Sequence, residues 1–208
     1  MNNEIYKHVI DEMIEFIKDN INIDDIDYIS GGERRDWFFS NIIANKLNKP
    51  HITIYKDLEL VVNDSTFETE INTSNVSGAK VLHIADLITE ASSYIRAWIP
   101  AIESLNAKIC WSTVVVDRMQ GGCEKLEEKN IKSLSIINID EGLFKNALDM
   151  NIINSSQYEM LKNFYENPDK TMRNFLISHP DFLENALKSD EKTAARAKLC
   201  IDNNLYNL

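Results

Sequence analysis

Apolar positions near the start of the chain recur at helical spacing. Ile5, Val9, Met13 and Ile17 fall on one face of a helix over residues 4–18. The pattern then shortens. "IDYI" reads as a strand ending at Ile29, "SGGERRD" as a loop, and "WFFSNIIANKL" as a helix stopped by Asn48-Lys49-Pro50. "HITIY" predicts a second strand. Residues 57–77, with "LELVV" and "FETEI", predict a β-rich excursion. "KVLHIA" follows Ser77-Gly78 as a strand and leads to a helix from about Ser92 to Leu105. "AKICWSTVVVD" and "IKSLSIINI" are two more strands, nearly continuous in apolar residues. Strands of that kind alternating with helices predict a mostly parallel sheet covered on both faces.

The character changes at about Glu141. "GLFKNALDMNII", "SQYEMLKNFYEN", "KTMRNFLISH", "DFLENALK" and "EKTAARAKLCIDNNLY" are short helical patterns punctuated by Asn, Asp and Pro. The expected organisation is an α/β domain over residues 1–140 and a helical C-terminal extension over 141–208.

Composition narrows the partners. The 208 residues carry 22 basic and 33 acidic side chains, a formal net charge of -11. Such a surface repels nucleic acid and anionic membranes, so an anionic ligand needs a local basic pocket. No stretch has the uncharged apolar length of a membrane span, and the N-terminal helix pattern is charged throughout, unlike a signal peptide. Cys110, Cys123 and Cys200 are odd in number and lack CxxC spacing, which speaks against a disulfide framework or a zinc site. Reduced thiols in a cytoplasmic protein are the expectation.

The chemistry concentrates in "KVLHIADLITEASSY". In an open parallel sheet, ligands bind beyond the carboxyl ends of the strands. Asp86 is expected at such an end, and Thr89 to Ser93 lead into a helix whose free N–H groups and dipole favour an anion. Thr89, Ser92 and Ser93 add hydroxyls, and Asp86 can accept hydrogen bonds from vicinal ribose hydroxyls. Phosphate, ribose and acid at this spacing suit a ribose 5-phosphate. The plainer alternative is a helix capped by Ser92 with Asp86 in a turn. In "GGERR", the two glycines permit unusual backbone angles and Arg34 and Arg35 supply positive charge, although adjacent basic residues are also common in solvated loops. His83 is expected as a hydrogen-bonded core residue, and Trp37, Phe38 and Phe39 as core. His8, His51 and His179 form no ligand set, and no GxSxG, HExxH or Walker pattern occurs.

"VLHIADLITEASS" resembles the 5-phosphoribosyl 1-pyrophosphate (PRPP) motif of type I phosphoribosyltransferases: a hydrophobic strand, two acids, two hydrophobic residues, then Thr-x-Gly-Thr/Ser. "LNAKICWSTVVVDRMQGG" is similar to the apolar strand and Asp-Arg-x-Glu-x-Gly of the orotate branch, and "NIKSLSIINID" to its last strand. "YISGGERRDWFFSNIIANKLNKPHITIYKD" is similar to the pyrophosphate loop, helix and Arg-Lys strand of the family. The resemblance covers about residues 26–140. It implies a type I phosphoribosyltransferase fold and transfer of ribose 5-phosphate between PRPP and an orotate-like base. It also implies Mg²⁺ carried with PRPP rather than in a dedicated protein site, and a homodimer. Thr89, Ala91, Ser92 and Ser93 would cradle the 5-phosphate. Asp86 would hold the ribose hydroxyls, and the stretch from Ser30 through Gly31, Gly32 and Arg34 to Arg35 would lie against pyrophosphate. Lys56 would match the lysine after the second strand, and Arg118 the base-contacting arginine.

The departures from the family pattern are specific. Ala85 replaces the first acid, Ala91 the loop glycine, Tyr55 the arginine of the Arg-Lys pair, and Gln120 the acid after Asp117-Arg118. Glu90 adds a negative charge beside the phosphate loop. Residues 57–79, where the family places a basic closing loop, hold no Lys, Arg or His but do hold Asp57, Glu59, Asp64, Glu68 and Glu70. An acidic flap cannot stabilise charge developing on a leaving pyrophosphate. These departures leave open a non-catalytic relative that binds a phosphoribosyl or nucleotide ligand as a sensor or regulator.

Overall fold

The computed structural model describes residues 4–206 and divides into two compact units that meet between Ile139 and Asp140. The first unit opens with α1 (Glu4–Asn20), followed by β1 (Tyr28–Gly32), α2 (Trp37–Lys46), β2 (His51–Ile54) and β3 (Leu60–Asn63). It continues through β4 (Lys80–Ile88), a π-helical turn (Tyr94–Trp98), α3 (Ile99–Ser104), β5 (Lys108–Asp117), α4 (Gly122–Glu127) and β6 (Lys132–Asn138). The strands form one sheet in the order β3-β2-β1-β4-β5-β6. Every pairing is parallel except β2 with β3.

Side chains alternate across each strand, so a strand buried on both faces must be apolar at every position. In β4, Val81 and Ala85 join the core that includes Ile99 and Ile102 of α3 and Leu126 of α4. Leu82 and Ile84 join the opposite core, with Ile10, Met13 and Ile17 of α1 and Ile43 of α2. The continuous apolar runs of β4 and β5 therefore reflect two helical layers, as the sequence pattern implies.

Three boundaries differ from the sequence reading. β1 does not end at Ile29: Ser30, Gly31 and Gly32 continue its pairing with Ile52, Thr53 and Ile54. β4 runs on through Asp86 to Ile88, opposite Asp117, so Asp86 lies within the strand and not just past it. "FETEI" is not a strand. It makes only an isolated bridge, Asn63 with Glu70, because the Asp64 carboxylate gathers the Thr66 and Glu68 N–H groups into a turn.

The second unit consists of α5 (Glu141–Asp149), α6 (Ser155–Glu166), α7 (Pro168–Ser178), α8 (Asp181–Leu187) and α9 (Glu191–Asp202). Its Asn and Asp punctuation consists of N-caps. Asp140, Asn154, Asn167 and Asp190 each accept hydrogen bonds from the first turn of the following helix, and Asn154 with Gln157 completes a capping box.

Candidate functional site

β1 leads to β2 on one side of the sheet, and β4 leads to β5 on the other. The crevice where connections depart in opposite directions is the usual ligand position in such sheets. Here β1 and β4 pair through Ser30–His83 and then part. A cavity of about 230 Å³ opens above that point, lined by residues 33–36, 85–94 and Trp98.

The cavity brings together Arg34, Arg35, Asp86, Thr89, Ala91, Ser92 and Ser93. Arg35 Nη1 lies 3.6 Å from Asp86 Oδ2. The hydroxyls of Thr89, Ser92 and Ser93 have no partner among the described residues. The helix beginning at Ser92 leaves its first N–H groups without intrahelical acceptors. The wall between Thr89 and Ser93 thus offers hydroxyl and amide donors, and the opposite wall offers two guanidinium groups. That arrangement suits a phosphorylated, hydroxylated ligand.

Four expected site residues lie outside the cavity wall. Lys56 follows β2, and its N–H donates to Glu33 Oε2 at 2.8 Å, tying it to the β1–α2 loop. Arg118 follows β5, and its N–H donates to the Ile88 carbonyl at 3.0 Å. Gly31 and Gly32 sit beneath the cavity in β1, in a role unlike the one expected: neither has a positive φ. Their lack of a side chain makes room instead. A Cβ on Gly31 would collide with Ser40 Oγ, and one on Gly32 with the indole of Trp98.

Ala91 is the reverse case. It has φ 55°, the left-handed region, and is only 4% exposed. The loop keeps a backbone shape that glycine adopts freely, and an L-residue there costs roughly 1–2 kcal/mol. Its methyl packs among the core residues of the α3 side. The neighbouring Glu90 points to Lys125, with its Oε2 3.4 Å from Nζ. The glutamate charge beside the phosphate loop is thus paired across the surface.

His83 is a core residue, as expected. Its Nδ1 lies 2.9 Å from Ser30 Oγ, and its ring packs against Tyr94 and Trp98. Burial pulls its pKa down to about 3, and the same cause holds His51 at about 3. Both rings are neutral at physiological pH. Trp37 is more than core, since its Nε1 donates to the Gly31 carbonyl at 3.0 Å. Phe38, expected in the core, is 63% exposed. The expected helical face shifts because α2 turns Ile43, Ala44 and Ser40 inward instead.

The residue that sequence reasoning missed is Asp36. An acid directly before a helix looks like an N-cap, but Asp36 is itself helical and makes no cap hydrogen bond. Its carboxylate accepts from the Gly32 N–H at 3.2 Å and the Asp86 N–H at 3.1 Å. Burial, helped by the nearby Asp86 charge, raises its pKa to about 7, while those two N–H groups act in the opposite direction. No sequence signal separates a cap from this role, because its partners are 4 and 50 residues away.

No protein-family model matches the chain. An orotate phosphoribosyltransferase of Sulfolobus acidocaldarius is 25% identical over 162 residues, 77% of this chain and 76% of that protein. One of Sulfurisphaera tokodaii is 28% identical over 161 residues, 77% of each. An adenine phosphoribosyltransferase of Campylobacter hominis is 29% identical over 140 residues, 61% of this chain and 74% of that one. Among solved structures, the orotate phosphoribosyltransferase of Francisella tularensis superposes with a TM-score of 0.59 at 17% identity, over 79% of this chain and 81% of the other. The chain has the type I phosphoribosyltransferase fold. The family resemblance drawn from the sequence holds, with orotate phosphoribosyltransferases among the relatives. In this fold the degenerate "ADLITEASS" occupies the β4 end of the cavity, and "GGERRD" forms the β1 end. The Glu33–Arg34 peptide bond in that second segment is cis. Among the described residues, no helix is long and apolar enough to cross a membrane.

Proposed function

We propose that the protein transfers a 5-phosphoribosyl group between PRPP and a nitrogenous base, orotate-like by its relatives. One observation supports this above others: a single cavity joins the Thr89–Ser93 loop, the Asp86 carboxylate and the Arg34–Arg35 loop. In this reading the loop holds the 5-phosphate, Asp86 the ribose hydroxyls, and the arginines the pyrophosphate. Lys56 and Arg118 would join from the flanking loops on ligand binding. No protein nucleophile is required, since positioning and charge neutralisation carry such a transfer. Among the described residues, no three His, Cys, Asp or Glu side chains cluster as a metal site. In this reading Mg²⁺ comes with PRPP. The acidic 57–79 segment supplies no cation, so this reading adds a homodimer whose second copy brings a basic side chain to the pyrophosphate; a cytoplasmic location goes with its free thiols.

The test is pyrophosphate release from PRPP and Mg²⁺ with orotate, adenine and other bases, run beside thermal melts with each ligand. A ligand at 100 times its Kd raises stability by roughly 2.7 kcal/mol. Turnover with one base confirms transfer and names the base. A thermal shift with PRPP but no turnover with any base makes the protein a phosphoribosyl binder. No shift with any phosphorylated ribose at millimolar concentration rejects both. A monomer by light scattering removes the second copy's contribution.

A further inference from the structure

Beyond Ser30 and His83, the paired strands β1 and β4 separate, and the cavity depends on how far. Besides the Arg35–Asp86 ion pair, a buried side chain crosses the gap. Asp36, 8% exposed, takes the Gly32 N–H on Oδ2 and the Asp86 N–H on Oδ1. Gly32 is the last residue of β1 and carries the Arg34–Arg35 loop; Asp86 lies near the end of β4 and precedes the Thr89–Ser93 loop. A third group closes the arrangement. His83 Nε2 is fully buried, has no hydrogen-bond partner among the described residues, and lies 3.8 Å from Asp36 Oδ2. A helix N-terminus normally claims such a carboxylate for its own N–H groups, yet this one serves two strands instead.

We propose that Asp36 is the positioning residue of the site: it spans the crevice between β1 and β4 and sets the separation of the two loops that grip opposite ends of the ligand. This rests on the phosphoribosyl reading for the ligand, but the bridge itself belongs to the free protein. Asp36 touches neither phosphate nor base. It acts by fixing the backbone of Gly32 and Asp86, and through them Arg35 and the Asp86 carboxylate.

The bridge has a charge state with consequences. The groups facing Asp36 are Asp86 and His83 from β4 and Tyr94 from the π-helical turn, while Arg35, from its own loop, pairs with Asp86. His51, from β2, acts on His83. His83 stays neutral, and burial beside the Asp86 charge raises the pKa of the Asp36 carboxyl to about 7, so proton uptake near neutrality centres on this carboxyl pair. That uptake removes a negative charge beside Asp86 and can place an O–H 3.8 Å from the unpartnered His83 Nε2. An anionic ligand favours that protonated form.

The test begins without ligand. In ¹H–¹⁵N spectra of the whole protein, the amides of Gly32 and Asp86 should shift together with a midpoint near pH 7. Independent or absent titration of the two overturns the bridge, whether or not any ligand binds. Calorimetry then compares wild type with Asp36→Asn using PRPP with Mg²⁺ and inorganic phosphate. The amide oxygen of Asn can accept from the Asp86 N–H, but with NH₂ in the Oδ2 position the Gly32 N–H loses its acceptor. PRPP, which in this reading reaches both ends of the crevice, should bind roughly tenfold more weakly, the scale of one buried donor left unpaired. Inorganic phosphate, held by the Thr89–Ser93 loop alone, should change less than twofold. Affinity in the wild type should rise as pH falls from 8 to 6 by more than it does in Asp36→Asn. Equal weakening of both ligands marks a general structural role and overturns the proposal. If the wild type binds inorganic phosphate but not PRPP, the phosphoribosyl reading fails and the amide titration alone decides the bridge. If Asp36→Asn does not fold, the wild-type amide titration still decides it.

Discussion

Gly31–Gly32 and Ala91 stand on opposite sides of the crevice and reverse the usual association of glycine with unusual backbone. The two glycines lie in a paired strand with no positive φ, and space requires them: Ser40 and Trp98 occupy the positions of their missing side chains. Ala91 has the left-handed backbone and does without glycine. A glycine in a motif can therefore mark crowding, and a missing glycine need not mean a changed loop. The neighbours that crowd β1 are themselves fixed by buried histidines. His51 Nε2 lies 2.9 Å from Ser40 Oγ, and the ring of His83 stacks on Trp98.

The largest expected effect breaks that crowded side by acid. His51 and His83 have folded pKa values near 3, below the unfolded 6.5. The unfolded chain takes up these protons first, so stability is full above about pH 6.5 and falls as pH drops toward 3. Asp36 opposes this, because its folded pKa of about 7 exceeds the unfolded value near 3.8. Its contribution is full below about pH 4 and is lost as pH rises through 7. Two histidines against one carboxyl leave a net loss on acidification, on the order of several kcal/mol between pH 6.5 and 4 at 1.36 kcal/mol per pKa unit. Urea titrations of the protein across that range measure it. A flat profile would mean that these rings are not held neutral.

Substitution on the same side comes next. Gly32→Ala drives a methyl into the Trp98 indole, and Gly31→Ala drives one into Ser40, the partner of His51. Overpacking of this kind costs about 1–3 kcal/mol. Denaturant midpoints should fall for both variants. Unchanged midpoints would show that Ser40 and Trp98 can yield, and the contrast with Ala91 would lose its basis.

The sheet was legible because its strands are apolar on both faces and its helices periodic, patterns that survive any tertiary arrangement. The Thr89–Ser93 loop was legible because its donors are consecutive in sequence. What escaped was non-local. Asp36 drew no role from the sequence, because its partners meet it only after β1 and β4 have paired. The glycine roles were misread because crowding by Trp98 cannot be seen from residue 32. Glu90 looked like a free charge because Lys125, its partner, is 35 residues away.

Ala91→Gly tests the other half of the comparison and should act in the opposite direction to the β1 substitutions. It relieves left-handed strain of roughly 1–2 kcal/mol, offset by about 0.4–1 kcal/mol for the greater freedom of glycine in the unfolded chain. A net stabilisation of about 0.5–1 kcal/mol is expected from these two opposing effects. Affinity for phosphorylated ribose should change little, because the methyl packs with the core. A large gain in affinity with no gain in stability would instead show the methyl standing between backbone and phosphate.

The smallest effect belongs to Glu90. Its carboxylate and the Lys125 ammonium are both substantially exposed, so their attraction is screened and worth at most about 1 kcal/mol. Glu90→Ala should leave stability within about 0.5 kcal/mol, as surface changes usually do. Its effect on a bound phosphate has two parts of the same sign. A negative charge leaves the loop, and Lys125 is released to approach the cavity. Affinity for ribose 5-phosphate should rise a few-fold at low salt, and the gain should shrink as the Debye length shortens toward about 8 Å at physiological ionic strength. Glu90→Ala with Lys125→Ala separates the parts: the double variant keeps the gain from charge removal and loses the gain from the freed lysine. If affinity is unchanged at every salt concentration, the phosphate lies beyond the reach of both side chains, and the Thr89–Ser93 loop is not where the 5-phosphate sits.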